Sequence, residues 1–198
     1  MLTEIEADFW VKSAYFLSFQ DATIFPLCYD RYMSQNNEGE SPMKKRTYLW
    51  TIGITLLVGA LSSFLTRNDM SYYTELVNKP MLTPPAWIFP VVWTILYVLM
   101  GIGLGHVLES DGSQADKQAA TRIYAVQLFF NFAWSIAFFT FRVYLFSFVW
   151  LLVLWALIIW MIFIFARSDR LAARLQIPYF LWVTFAAYLN LMIYLLNR

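Results

Sequence analysis

The sequence predicts an all-α integral membrane protein, a bundle of five transmembrane helices. Three observations lead there. Five apolar stretches lie at 47–66, 87–108, 123–141, 143–166 and 175–197, and none contains Asp, Glu, Lys or Arg. A helix rises about 1.5 Å per residue, so roughly 20 apolar residues cross a hydrocarbon core about 30 Å thick. The whole chain is 60% hydrophobic and only 14% charged, well below the charge of ordinary soluble domains. Inside lipid the backbone must satisfy its own hydrogen bonds, and runs of this length do so as helices.

The chain divides unevenly before the first stretch. Residues 1–42 carry seven acids (Glu4, Glu6, Asp8, Asp21, Asp30, Glu38 and Glu40) against two bases, Lys12 and Arg31. They lack the basic start, apolar core and small-residue cleavage site of a secretory signal. Met43-Lys44-Lys45-Arg46, followed directly by an apolar run, has the form of a membrane protein's natural start. The expectation is therefore an acidic extension at 1–42 that is not native, with a genuine soluble or interfacial tail as the alternative, followed by a membrane domain at 43–198.

The distribution of bases orients the bundle. If the segment before the first span is cytoplasmic, Lys44, Lys45, Arg46, Lys117, Arg122, Arg167, Arg170 and Arg174 lie inside. Arg67, Lys79, Arg142 and Arg198 then lie outside, and the excess of bases inside favours this orientation. Trp50, Trp87 and Tyr144 fall near span ends, where amphipathic rings favour the headgroup level.

The first connection, residues 67–83, is the longest. Tyr72, Tyr73, Leu76 and Val77 have the spacing of a short amphipathic helix. Thr83-Pro84-Pro85 carries a helix-start signal, a capping hydroxyl followed by proline. The segment is either a lid across the bundle mouth or a solvated linker.

Polar residues within spans cost free energy and call for a reason. The third span places Gln127, Asn131 and Trp134 on one helical face. The fifth places Trp182, Ala186 and Asn190 together, with Phe185 beside them, and the second offers Trp93 and Tyr97. Turned inward, these side chains would wall a cavity for a flat, largely apolar ligand. The alternative is that the amides only tie neighbouring helices. Small-residue patterns at Ala133/Ala137 and at Gly101/Gly105 fit close helix contact, and each is a candidate dimer seam.

The sequence lacks the parts of conventional catalysis. No span pairs carboxylates, Cys28 is the sole cysteine, and the lone His106 has the position of an interfacial side chain. No metal site, required cofactor or nucleic-acid-binding stripe is expected.

Three motifs carry a resemblance. Lys79-Pro80 with Thr83-Pro84-Pro85, then Trp87, Phe89, Trp93, Tyr97 and Gly101, resemble the loop and second helix of the tryptophan-rich sensory protein/translocator protein (TspO/MBR) family. Gln127, Asn131, Trp134, Ser135, Phe138 and Phe139 resemble its third helix. Pro178, Tyr179, Trp182, Phe185, Ala186 and Asn190 resemble its fifth.

The resemblance implies a five-helix bundle whose cavity is closed by the first loop. It implies a porphyrin such as protoporphyrin IX, or another planar apolar molecule, as ligand. The role implied is sensory, receptor-like or protective in a bacterial cell membrane, in a homodimer seamed by Ala133 and Ala137. Ligand-binding positions would be Trp93, Tyr97, Asn131, Trp134, Trp182, Phe185, Ala186 and Asn190. Lid positions would be Tyr72, Tyr73, Lys79, Pro80, Pro84 and Pro85. Light-dependent porphyrin breakdown, with Trp93 and Trp182 taking part, and facilitated transport of the ligand are alternatives. Two departures bear on the lid and on helix two: Leu82 stands where the family usually has Trp, and Val91 breaks its Gly-Pro-Val-Trp pattern.

Overall fold

The computed structural model describes residues 42–198. The acidic stretch, its boundary with the membrane domain and Cys28 were sequence readings that lie outside the described residues. Seven α-helices follow: α1 (Pro42–Thr66), α2 (Met70–Glu75), α3 (Ile88–Glu109), α4 (Gln114–Ser135), α5 (Tyr144–Ser168), α6 (Arg170–Arg174) and α7 (Ile177–Leu196). A 3-10 turn (Arg67–Asp69) joins α1 to α2, and a π turn (Ile136–Thr140) extends α4. Among the described residues there is no strand. Among the described residues five helices are long and apolar enough to cross a membrane.

The apolar stretches locate these helices, but α4 begins nine residues before its stretch does. Hydropathy marks only the part that fits hydrocarbon, whereas a helix continues until something caps it. Here Ser113 is the cap, its hydroxyl accepting from the Asp116 N–H at 3.1 Å and donating to the Asp116 carboxylate at 2.6 Å. At the other end of the bundle the expected cap fails. Thr83 Oγ1 is buried without a partner, and α3 starts only at Ile88, whose N–H donates to the Pro85 carbonyl at 3.0 Å.

α5 is the packing centre, with α4 on one flank and α7 on the other, and α3 closes against α4, α6 and α7. Leu151, Leu154, Ile158, Met161 and Phe165 of α5 are buried in sequence, a stripe at helical spacing. α1 joins along a seam of small residues. A Cβ on Gly101 would strike the Ile52 backbone, and one on Gly105 would strike the Tyr48 ring. One on Gly59 would strike the Tyr97 ring. This corrects the expectation for Gly101 and Gly105: their missing side chains admit α1 of the same chain, so they are not a dimer seam. Along α1 the buried polar residues are Thr51, Thr55, Ser62 and Thr66. Thr55 and Thr66 donate to the carbonyls one turn back, at 2.6 and 3.0 Å, and the Thr55 hydroxyl also meets the Tyr124 phenol of α4 at 2.5 Å, tying α1 to that helix.

Candidate functional site

The polar residues of α4 face inward and are joined to one another. Tyr97 of α3 donates to Asn131 Oδ1 at 2.9 Å, and Asn131 Nδ2 donates to the Tyr179 phenol at 3.0 Å. Tyr179 of α7 in turn donates to Gln127 Oε1 at 3.0 Å. Nearer the lid, Trp134 Nε1 donates to Asn190 Oδ1 at 3.2 Å, and Asn190 Nδ2 donates to the Tyr144 carbonyl at 2.8 Å. Both ends of Asn131 and of Asn190 are thus engaged, and α3, α4, α5 and α7 are tied through them. Gln127, Asn131, Tyr179 and Asn190 are all buried, and only Gln127 Nε2 among these atoms has no partner.

The indoles expected at a ligand are arranged differently. Trp93 and Trp182 are half-buried, and each leans on a second ring that holds it in place. Trp93 stacks on Tyr97 with centroids 5.5 Å apart and meets Tyr179 edge-on at 6.3 Å. Trp182 receives Phe89 edge-on at 5.9 Å and packs on Phe185 at 5.7 Å. α3 and α7 therefore present a set of rings, Phe89, Trp93, Trp182 and Phe185, that are only partly covered. Aromatic faces in such a setting offer stacking surface with few hydrogen-bonding atoms. Ala186 is buried one turn beyond Trp182. Among the described residues no three His, Cys, Asp or Glu side chains come together to hold a metal.

The first connection is fastened at both ends. Thr140 donates to Asp69 Oδ2 at 2.8 Å, and Arg142 reaches Asp69 Oδ1 at 3.7 Å while its guanidinium lies 3.6 Å from the centre of the Tyr72 ring. Arg142 holds φ +58°, a left-handed conformation uncommon for residues other than glycine. Tyr73 is buried against Phe138 and Phe139, with centroids at 5.8 and 5.3 Å. The π turn at Ile136–Thr140 accompanies this unusual convergence of two consecutive rings on one neighbour. Burial pushes the Tyr73 phenol up to about 12, and the nearby Tyr144 phenol adds to the effect. Lys79 Nζ caps α2 by donating to the Tyr73 and Thr74 carbonyls at 3.0 and 2.5 Å. At the far end, Asn197 uses its amide like a strand partner: Oδ1 accepts from the Asn78 N–H and Nδ2 donates to the Asn78 carbonyl, each at 2.9 Å.

Of the lid positions named from sequence, Tyr72, Tyr73, Lys79 and Pro80 engage the bundle or the lid itself, whereas Pro84 is half-buried and Pro85 exposed. Leu76 is exposed and Val77 buried, so the amphipathic pattern runs one residue short. Phe89 and the fasteners Asp69, Arg142 and Asn197 were not anticipated. Their partners are 71 to 119 residues distant along the chain, or on another helix, and no local spacing announces them. Tyr179 was noted only as part of a motif, although it lies three residues before Trp182 on the inward face. Ala133 and Ala137 line an apolar groove along α4 together with Phe132, Phe141, Phe146 and Trp150.

Comparison with known proteins places this architecture. The TspO/MBR family model matches residues 51–196. The tryptophan-rich protein TspO of Chlorobaculum tepidum is 38% identical over 146 residues, covering 74% of this chain and 92% of that protein. The tryptophan-rich sensory protein of Cereibacter sphaeroides is 32% identical over 145 residues, covering 71% and 88%. The pig (Sus scrofa) translocator protein is 32% identical over 149 residues, covering 72% and 87%. Five membrane-length helices, the fastened first loop and these matches have one conclusion: the chain is an integral multi-pass membrane protein and belongs to the TspO/MBR family.

Proposed function

We propose that this protein binds a planar, largely apolar macrocycle of the porphyrin class, in a sensory or protective role. The observation that carries the reading is the partly uncovered rings of α3 and α7: Trp93, braced by Tyr97 and Tyr179, and Trp182, flanked by Phe89 and Phe185. The ligand enters between the lid and helices α3 and α7 and is held chiefly by stacking. Asn131 serves by fixing Tyr97 and Tyr179, the supports of Trp93, and Asn190 by tying Trp134 to the start of α5, each amide holding a neighbour at both its oxygen and its nitrogen. The base-rich end of the bundle faces the cytoplasm of a bacterial cell, which sets the lid on the outer side. Two copies pair along the groove at Ala133 and Ala137.

Titration of the purified protein with protoporphyrin IX, followed by tryptophan fluorescence, tests the reading. Saturable quenching is expected, and the Trp93→Ala/Trp182→Ala double variant should bind on the order of a hundredfold more weakly, given about 1.5 kcal/mol or more per ring. Unchanged affinity in the double variant sinks it.

A second reading is light-dependent breakdown of the bound porphyrin by oxygen, favoured by the contact of the oxidisable Trp93 ring with two phenols. Bound pigment would be illuminated in air and its absorbance followed. Equal rates of loss in parent and Trp93→Phe/Trp182→Phe protein would argue against participation by the indoles.

A further inference from the structure

The end of the bundle opposite the lid leaves three guanidinium groups uncompensated at one turn. α5 hands over to α6 around Arg167, Arg170 and Arg174, and all three side chains are exposed. The one carboxylate in this turn is Asp169, and both of its oxygens are taken. Oδ1 accepts from the Ala172 N–H at 2.8 Å, which caps α6, and Oδ2 faces His106 Nδ1 at 3.6 Å. Among the described residues none of the three arginines forms an ion pair. At the lid end Arg142 is paired with Asp69, Lys79 is spent on backbone carbonyls and Arg67 lies over the Phe64 ring.

Apolar side chains stand among these charges. Leu171 is 49% exposed and Ile177 is 45% exposed. A turn bathed only in water gains nothing from two bare aliphatic chains between arginines. At the boundary of headgroups and hydrocarbon the same arrangement is stable, with the aliphatic groups turned to the acyl region and the guanidiniums to the phosphates. Arg170 and Arg174 are four residues apart on one helical turn, neighbours on the same face. Guanidinium binds phosphate oxygens by paired N–H donors, and two such forks side by side offer an anion more than one point of attachment.

We propose that the α5–α6 turn is a docking surface for an anionic phospholipid. Arg167, Arg170 and Arg174 hold the headgroup, and Leu171 and Ile177 enter the adjoining acyl region. The proposal does not depend on what the ring set binds. It also does not require a particular orientation of the bundle, because any leaflet containing anionic lipid supplies the partner.

The test uses the full chain in neutral detergent, supplied with phosphatidylglycerol, phosphatidylcholine or inorganic phosphate, and native mass spectrometry to count retained lipid. Phosphatidylglycerol should be retained in preference to phosphatidylcholine and lost as salt rises, while inorganic phosphate at the same concentration should not displace it. Each arginine near an anionic surface contributes about fivefold. Arg170→Gln alone should therefore cost about fivefold in retention, and the Arg167→Gln/Arg170→Gln/Arg174→Gln variant on the order of a hundredfold. Should the triple variant fail to fold, the single variant and Leu171→Ser, which should weaken retention without altering charge, decide the matter. Equal retention of the two lipids by the parent protein would overturn the proposal; so would full retention in Arg170→Gln. Displacement by inorganic phosphate would also overturn it, since the surface would then be an anion site and not a lipid site.

Discussion

The bundle interior and the α3–α7 ring face lie side by side on the same helices and behave differently. In the interior Tyr97, Asn131, Tyr179 and Gln127 are buried and bonded to one another. On the ring face Trp182 touches Phe89 and Phe185, Trp93 leans on Tyr97 and Tyr179, and all four rings Phe89, Trp93, Trp182 and Phe185 remain partly open. Where lipid surrounds a bundle, apolar burial drives little helix association, so polar ties and close small-residue packing hold it together. Rings with no hydrogen-bonding obligation can then be left exposed for a ligand. The contrast separates residues that make the fold from residues proposed to meet a ligand, although both stand at helical spacing.

That division can be broken by experiment, beginning with the interior. Gly101→Leu should have the largest effect, because its Cβ meets the Ile52 backbone and α1 cannot yield without moving as a whole. A loss of about 3 kcal/mol is expected, with failure to fold as the extreme. Thermal unfolding in detergent and the accessibility of α1 to labelling would report it. Asn131→Leu comes next. It strips the Tyr97 and Tyr179 phenols of a shared partner in a buried layer, and a loss of about 1–2 kcal/mol should appear as a lowered melting temperature.

The lid should respond to alkali. A phenol whose pKa is raised by burial keeps its proton more firmly in the docked state than when released. Lid docking is therefore at full strength below about pH 10, the ordinary value for tyrosine, and weakens as pH rises toward about 12. The protection factor of the α2 amides, in which the hydroxide-catalysed rise of intrinsic exchange is divided out, should fall above pH 10 in the parent and stay level in Tyr73→Phe. Asn197→Ala should have the smallest effect, under about 1 kcal/mol, because its two bonds to Asn78 are exposed. Faster proteolysis of the loop near Asn78 at unchanged melting temperature is the expected sign.

The sequence made the spans visible because hydrocarbon imposes a length and excludes charge. It made the inward faces of α4 and α7 visible because Gln127, Asn131 and Asn190 are costly anywhere else. What each inward group does was hidden. Asn131 and Asn190 read equally well as ligand contacts or as ties, and only their pairing in space shows that both ends of each amide hold a neighbouring group. The glycine pair of α3 likewise fits any close neighbour, and the neighbour proves to be α1. The fastening of the lid by Asp69, Arg142 and Asn197 joins residues far apart along the chain, for which helical periodicity carries no signal.

The most direct test of the division is to measure protoporphyrin IX affinity and melting temperature together in two variants. The account predicts that Trp93→Ala/Trp182→Ala loses affinity on the order of a hundredfold while its melting temperature moves little, and that Asn131→Leu does the reverse. An Asn131→Leu protein that melts like the parent but no longer binds, beside a double tryptophan variant that binds like the parent, would contradict it.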